Sequence, residues 1–321
     1  MRIEGKNFLV TGGAGFIGSH LTNALLEKGA SVTVIDNLSG GARNNVVNGA
    51  KFVCGDIRES KTIQECLKNI DVVYHLAADA TTKESSMGWR DPLHDMSVNA
   101  KGTLKIFESI AKLGLDVKVV YSSSAAVYGE PQYVPMNEDH PTTPVSPYGI
   151  SKLSGEKYAF AYFKEFGIKS ISARLFNTYG PRQPRYVIFD LLKKLHANQG
   201  QLEVLGNGSA IRDYSYISDT VNALLLLMEK GNWGEIYNVA GNNPISIKDL
   251  VVLILSELNL IGRTKVSYTG KSWRGDITRM IADTTKINKL GFQPKINLEE
   301  GIKKTIEWFF KTKSDVSFGE I

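Results

Sequence analysis

A five-residue apolar run, Asn7–Thr11 (NFLVT), passes straight into Gly12-Gly-Ala-Gly-Phe-Ile-Gly18 and then into a helical pattern over Ile17–Glu27. No other feature restricts the fold of this chain so strongly. Glycines at 12, 15 and 18 meet three separate needs: a tight turn, close approach of a pyrophosphate to the backbone, and close packing of helix on strand. The helix that follows offers unpaired N–H groups to an anion. A glycine-rich loop alone also marks ordinary turns. Between a strand and a helix, at the head of an α/β chain, it predicts a dinucleotide site.

The pattern beyond the turn agrees. Ser31–Ile35 is β-branched and ends at Asp36, and Lys51–Cys54, Asp71–Leu76 and Val117–Ser122 read as further buried strands. Helical patterns lie between them, notably His94–Leu113. This order predicts an α/β fold, a doubly wound parallel (Rossmann) sheet covered on both faces, with right-handed crossovers. A helix is predicted from Ser146-Pro147 to about Phe166. Ser suits the N-cap, Pro the first helical position, and Gly167 the stop. Lys169–Leu175 is the next strand.

After Asn177 the pattern is less regular. Short strands (Leu202–Leu205, Asp213–Tyr216, Ile236–Val239) mix with helices (Ser218–Lys230, Ser246–Leu258, Leu298–Lys311). We expect a smaller α/β substrate lobe at about 176–208 and 241–321. The dinucleotide-binding domain then comprises 1–175 plus about 209–240. A chain of 321 residues buries such a core without disulfide or metal staples.

Charge and composition narrow the partners. The net charge is +5 and the charges are scattered, which argues against nucleic acid and membrane surfaces. The five histidines show no metal-ligand spacing. Cys54 and Cys66 read as buried thiols in a reducing compartment. The most apolar run, Ala223–Met228, is far too short to span a bilayer, and the start shows no signal-peptide pattern. A soluble cytoplasmic protein is expected.

Asp36 stands where an acidic side chain accepts hydrogen bonds from both adenosine ribose hydroxyls and repels a 2′-phosphate, which favours NAD over NADP. Arg43 is the nearby cation that argues the other way. Asp56-Ile57 either borders the adenine or, through Asp56, caps a helix. Tyr121-Ser-Ser-Ser124 ends the fifth strand, and Tyr148 and Lys152 lie four apart on one helix face. A close ammonium lowers a tyrosine, ordinarily near about 10, by roughly 1–3 units. Tyr148 is then a candidate general base, Lys152 a holder of the nicotinamide ribose, and Ser124 a hydrogen-bond partner for the reacting oxygen.

In this order these segments resemble the extended short-chain dehydrogenase/reductase (NAD-dependent epimerase/dehydratase) family, and within it the UDP-glucose (UDP-galactose) 4-epimerases. The resemblance spans nearly the whole chain. It rests on Thr11–Gly18, Asp36-Asn-Leu-Ser, Gly55-Asp-Ile, Leu76-Ala-Ala, Asn99 in Val-Asn-Ala-Lys-Gly-Thr, Ser122–Gly129 and Tyr148–Lys152. It continues through Arg174–Arg182, Gly206-Asn-Gly, Arg212-Asp-Tyr and Trp273-Arg-Gly-Asp276.

The resemblance implies NAD as cofactor. It would be held by Gly12, Gly15, Phe16, Ile17, Gly18, Asp36, Asn37, Ser39, Gly40, Asp56, Ile57, Leu76, Ala77, Ala78, Asn99, Ser122 and Phe176, with Tyr148 and Lys152. It implies a UDP-sugar substrate beside Ser124, Tyr148 and Asn177, with Val187, Ile188 and Phe189 near the uracil. Arg212 and Arg274 would clamp the diphosphate and Asp276 would stand near the uridine ribose. Guanidinium groups suit such bidentate contacts.

The implied first step is shared by epimerases, dehydratases and decarboxylases: the 4-hydroxyl loses its proton to Tyr148 and C4 a hydride to NAD, giving a transient 4-keto sugar and bound NADH. Dehydratase relatives carry Asp-Glu just before Val-Tyr-Gly, and decarboxylase relatives a Glu. Here Ala125 and Ala126 stand there, which favours 4-epimerisation. Thr81–Trp89, with Lys83, departs from the epimerase pattern, Lys101 is basic near the cleft, and Trp273 is a neighbour not expected.

Met280 replaces a bulkier residue and is either core filler or room for a 2-acetamido group. UDP-glucose/UDP-galactose leads and UDP-N-acetylglucosamine follows. UDP-glucuronate would need a cation near C6. The reading from a different class is a non-catalytic NAD-binding scaffold, which predicts a broken Ser/Tyr/Lys set. By the same resemblance a homodimer forms through His94–Leu113 and Pro147–Phe166.

Overall fold

The computed structural model describes residues 2–80 and 88–314. Its first half runs β1 (Asn7–Thr11), α1 (Phe16–Glu27), β2 (Ser31–Asp36), β3 (Lys51–Cys54), α2 (Ser60–Cys66) and β4 (Val72–His75). Then come α3 (Pro92–Asp95), a π-helical turn (Met96–Lys101), α4 (Gly102–Leu113), β5 (Lys118–Ser124), α5 (Pro147–Phe166) and β6 (Ser170–Leu175). The remainder is β7 (Asn177–Tyr179), α6 (Val187–Ala197), β8 (Gln201–Val204), β9 (Ile211–Tyr216), α7 (Ile217–Lys230) and β10 (Ile236–Val239). It ends with β11 (Pro244–Ser246), α8 (Ile247–Glu257), β12 (Lys265–Tyr268), β13 (Arg279–Met280), α9 (Thr285–Asn288) and α10 (Leu298–Ser314).

Seven parallel strands form the main sheet in the order β10-β6-β5-β4-β1-β2-β3. The alternation of side chains feeds two cores. Phe8 and Val10 of β1 join the large cluster that includes Leu21 and Leu25 of α1 and Leu224 of α7. Leu9 points the other way, into the cluster with Ile106 and Phe107 of α4. Burial on both faces is why the strands read as unbroken apolar runs. Strand order reverses at β1, between β2 and β4, and the crevice at the carboxyl ends beside such a reversal is where open α/β sheets bind ligands.

Local signals place α5 as expected. Ser146 Oγ accepts from Gly149 N at 3.1 Å, Pro147 opens the helix, and Gly167 closes it at φ +68°. Other expectations need correction. The helix expected over His94–Leu113 starts at Pro92, behind an Asp91 cap, and carries the π turn at its centre. Helix α6 was not anticipated. Cys54 is exposed, because β3 is the edge strand and half-covered, whereas Cys66 in α2 is buried as expected. The second lobe is built on a four-stranded sheet of β11, β9, β13 and β7 and on the parallel pair β12-β8. Met280 pairs in register with Arg212 there. No described helix is long and apolar enough to cross a membrane.

Candidate active site

The glycine turn is built for close approach. Gly12 takes φ +72°, and a Cβ there would stand 2.8 Å from the backbone of Ala77. A Cβ on Gly18 would collide with the Gly12 carbonyl oxygen. Gly15 is the N-cap of α1 without a side-chain cap, so the first-turn N–H groups keep no side-chain partner. Asp36 pins the turn: its carboxylate accepts from Ala14 N at 3.0 Å and Leu38 N at 2.8 Å, and burial raises its pKa. A dinucleotide fits this set, with N–H groups at the helix start and a carboxylate one strand away.

The neighbours sort out the alternatives. Arg43 stacks on Phe52 at 4.3 Å and is taken up there. Asp56 does not cap α2, whose N-cap is Glu59. It accepts three hydrogen bonds from Arg58, from the backbone N at 2.8 Å and the guanidinium at 2.9 and 2.6 Å, and one from Asn37 Nδ2 at 3.0 Å, and Arg58 holds its pKa down at about 2. Ile57 is buried beneath Gly102 at the head of α4, where a Cβ would strike it. Ser39, Gly40, Ala78 and Arg185 share one cavity of about 380 Å³, which joins the loop after β2 to the end of β4. Phe16 and Ile17 are partly buried on the main core, as is Leu76.

A buried relay fixes the strand ends. Thr103 Oγ1 donates to Asn99 O at 2.6 Å, so toward His75 Nε2, at 2.8 Å, it acts as acceptor. His75 therefore carries its proton on Nε2, and Nδ1 accepts from Thr11 Oγ1 at 2.8 Å. Thr11 Oγ1 in turn accepts from Ala77 N at 3.1 Å. Burial, with Lys152 nearby, drives the His75 pKa down to about 3, and the ring stays neutral. Ser122 Oγ donates to the His75 carbonyl at 3.1 Å.

Ser124 ends β5, and Tyr148 and Lys152 stand one turn apart on α5, which packs on that strand. Ser124 Oγ caps the short turn Ala125–Val127 by accepting from Ala126 N at 3.1 Å, and it is close enough to Tyr148 to influence its hydroxyl. Lys152 is 2 % exposed, with its ammonium 4.7 Å from the Tyr121 ring centroid. The expected lowering of Tyr148 by Lys152 is not what the protein alone shows. Burial pushes the Tyr148 hydroxyl well above its ordinary value, Tyr186 adds to this, and Ser124 opposes it. Burial also disfavours the charged amine and drives Lys152 down to about 7. In a desolvated pair both neutral forms gain.

The second lobe is arranged differently from the expected clamp. Arg212 and Asp276 meet, Nη2 to Oδ1 at 2.5 Å, and Asp276 also accepts from Ser272. Arg274 is exposed and lies 5.7 Å over the Trp89 ring. Ile188 is buried in the main core and Phe189 packs edge-on against Phe309 at 5.5 Å. With Val187 partly buried as well, the side chains of this segment pack on the core, and the first turn of α6 has no side-chain cap. Phe176 is buried with Tyr128, Met136 and Ala240, with Met280 packed beside them. Asn177 Nδ2 is buried without a hydrogen-bond partner among the described residues, a donor left for something else. Lys101 is exposed; Lys83 and the rest of 81–87 lie outside the described residues.

Two groups escaped the sequence reading. Asp95 is buried between Ser151 and Asn99, and its spacing of four from Asn99 was the available signal. Glu156 and Arg174 form a buried pair, Glu156 standing four after Lys152 on the same helix.

Comparison with known proteins fits this geometry. The profile of the GDP-mannose 4,6 dehydratase family matches residues 9–305. A putative UDP-glucose 4-epimerase of Methanocaldococcus jannaschii is 38 % identical over 94 % of this chain and 97 % of its own. The chain belongs to the extended short-chain dehydrogenase/reductase family.

Other members of this family carry different chemistry. The UDP-glucuronic acid decarboxylase 1 of Danio rerio is 32 % identical over 95 % of this chain and 72 % of its own. Among solved structures, the UDP-glucose 4-epimerase of Thermotoga maritima with UDP-glucose has a TM-score of 0.89 and 35 % identity, covering 96 % of this chain and 99 % of that one. The UDP-N-acetylglucosamine 4-epimerase of Methanobrevibacter ruminantium in complex with UDP-N-acetylmuramic acid has 0.87 and 31 %, covering 96 and 99 %. The dTDP-glucose 4,6-dehydratase of Streptomyces venezuelae with NAD bound has 0.88 and 28 %, covering 96 and 98 %. This extended short-chain dehydrogenase/reductase is thus a nucleotide-sugar epimerase/dehydratase in the broad sense.

Proposed function

We propose that the protein is an NAD-dependent 4-epimerase of a UDP-sugar, acting on UDP-galactose and UDP-glucose. One observation carries the reading. Ser124 and Tyr148 stand together after β5, Lys152 lies one turn further along α5, and the residues directly after Ser124 are Ala125 and Ala126, buried and without an acidic group. Dehydration or decarboxylation calls for further proton transfer at that place.

NAD, when bound, supplies a reversible two-electron exchange with the sugar's C4. The chain supplies the rest. The α1 start holds the pyrophosphate and Asp36 the adenosine ribose. Tyr148 takes the proton of the 4-hydroxyl while Ser124 hydrogen-bonds the same oxygen. Lys152, one turn along α5 from Tyr148, holds the nicotinamide ribose and, when protonated, favours the phenolate that burial in the protein alone opposes. The return of the proton from Tyr148 follows once the ketone has presented its opposite face. Asn177 Nδ2 is a free donor for the substrate, and Arg212 has a guanidinium to offer the diphosphate in exchange for Asp276. The expected division, 1–175 with about 209–240 against about 176–208 and 241–321, would set the sugar between the two; β9 (Ile211–Tyr216) pairs in the second sheet, so the first unit resumes only at α7.

Met280 supports UDP-N-acetylglucosamine as a second substrate, because an unbranched side chain beside Phe176 yields to a 2-acetamido group. A homodimer is part of the reading. Leu93, Met96 and Ile150 are exposed on α3, the π turn and α5, elements that pack on one another. Light scattering at micromolar protein should give twice the chain mass; a monomer mass removes this part.

The test is to incubate the protein with NAD and UDP-galactose, and separately UDP-N-acetylgalactosamine, and follow the sugar signals by NMR. Conversion to the gluco epimer with no net NADH is expected. No conversion of either defeats the epimerase reading.

A further inference from the structure

Asp95 is 1 % exposed, an uncommon place for a carboxyl group, and the chemistry above makes no use of it. One oxygen accepts from Ser151 Oγ and the other from Asn99 Nδ2 at 3.1 Å. Ser151 lies between Tyr148 and Lys152 in the opening turns of α5. Asn99 in turn holds the backbone of Asp79, accepting from its N–H at 2.8 Å and donating to its carbonyl at 2.9 Å. Asp95 therefore ties together the end of β4, the π turn and the helix that carries the proposed base.

The titratable groups around it come from each of these pieces. Asp79 follows β4, and His94 beside it pairs with Asp79 at 3.6 Å. Tyr148 and Lys152 on α5 and Tyr121 on β5 lie within its electrostatic reach. Lys152 is faced in turn by Glu156 one turn further along α5 and by His75 of β4.

We infer that Asp95 is a positioning residue for the Tyr148–Lys152 pair: it sets the opening of α5 through Ser151 and supplies the anion that faces the buried Lys152 ammonium. The inference rests on the reading of Tyr148 and Lys152 as the proton-handling pair. Electrostatics agree with the geometry. Burial drives Lys152 down, and Asp95 is the foremost charge opposing that, ahead of Glu156. Burial also lifts Asp95 itself to about 6, so it is mostly ionised at neutral pH.

Two variants separate position from charge. Asp95→Asn removes the charge and keeps the shape; Ser151 then turns its hydroxyl to the Pro147 or Tyr148 carbonyl, each 3.1 Å away. Ser151→Ala removes the hydrogen bond and keeps the charge. The Lys152 titration is read by carbon NMR on protein labelled at lysine Cε, the signal being assigned by its loss in Lys152→Met. The alkaline limb of kcat for the UDP-sugar is read beside it.

Asp95→Asn is expected to lower the Lys152 midpoint by roughly one unit and to move the alkaline limb acidward with it. Ser151→Ala is expected to lower kcat with the midpoint in place. A midpoint shift in Asp95→Asn below about 0.3 unit, or equal losses in both variants with unchanged pH profiles, overturns the inference. If Asp95→Asn does not fold, Asp95→Ser is read in its place; loss of folding in both, with Ser151→Ala folded, assigns Asp95 to stability alone and also overturns it. A midpoint shift without any turnover in the parent protein defeats the epimerase reading and not this one. Turnover without a shift does the reverse.

Discussion

Glu156→Gln gives the sharpest test of how the site is held. Glu156 grips Arg174 of β6 in two hydrogen bonds, Nε to Oε1 and Nη2 to Oε2, both 2.8 Å. The two side chains are 1 and 3 % exposed. Ser123, next to Ser124, donates to the same carboxylate at 2.5 Å. The substitution keeps the volume and strands a buried guanidinium, left with the Glu138 carbonyl at 3.1 Å and the Tyr128 ring at 4.7 Å. Breaking a buried pair from one side costs about 3–5 kcal/mol. Unfolding entropy of about 2.1 cal/mol/K per residue gives roughly 0.7 kcal/mol/K for this chain, so Tm should fall by roughly 4–8 °C. Scanning calorimetry reads it. Replacing both partners, Glu156→Gln with Arg174→Met, removes the stranded charge and should recover part of the loss. A single variant within about 2 °C of the parent, or a double variant less stable than the single, refutes the reasoning.

Three further outcomes follow from the same geometry. Tyr148→Phe should lower turnover by about 10²–10⁴-fold with the fold intact by circular dichroism, and turnover within threefold of the parent would show that another group takes the proton. Gly18→Ala puts a methyl group onto the Gly12 carbonyl oxygen; it should cost about 1–3 kcal/mol in urea unfolding and reduce the NAD retained after gel filtration. Unchanged retention would remove the turn from the cofactor site.

His75→Asn tests the neutral histidine. Its folded pKa, about 3, lies below the unfolded 6.5, so its stabilisation is present above pH 6.5 and is lost as pH falls. From pH 7.5 to 4.5 this one group should cost the parent about 3 kcal/mol that the variant does not lose. Asp95 and Asp213, both raised to about 6 by burial, act in the opposite sense, so the readout is the difference between the two proteins. Equal pH dependence would mean that His75 is charged in the fold.

What was legible in the chain was what local physics decides. The glycine turn, the caps of α5 and the runs of β3 and β10 are set by residues within a few positions of each other. Their limits therefore stand where Ser146, Gly167 and the apolar alternation place them. Helix α6 was not legible because its start is set by a residue at positive φ, Tyr186 at 75°, whose hydroxyl contacts the Ala80 carbonyl about a hundred residues away. Cys54 misled for a similar reason. Its burial depends on whether a further strand pairs beyond β3, and nothing near Cys54 carries that information.

The same division runs through the site. Ser124, Tyr148 and Lys152 were readable as types and spacings, since four residues on a helix fix a shared face. Their protonation states were not, because those depend on burial and on groups that other segments of the chain bring alongside. Lys152 is under the influence of Asp95 and Glu156 on α3 and α5, and Tyr148 under that of Tyr186 from the other lobe. Arg212 shows the limit most plainly: the family resemblance implied a phosphate for it, yet its guanidinium is held by Asp276, 64 positions away. The carboxylate on that guanidinium, bound through one oxygen, matches a phosphate in charge sign. The pairing keeps a buried arginine satisfied until an anion competes for it. On the proposed reading a substrate diphosphate would compete with Asp276 for Arg212, and the affinity of the site would be a difference between two ion pairs rather than the strength of one.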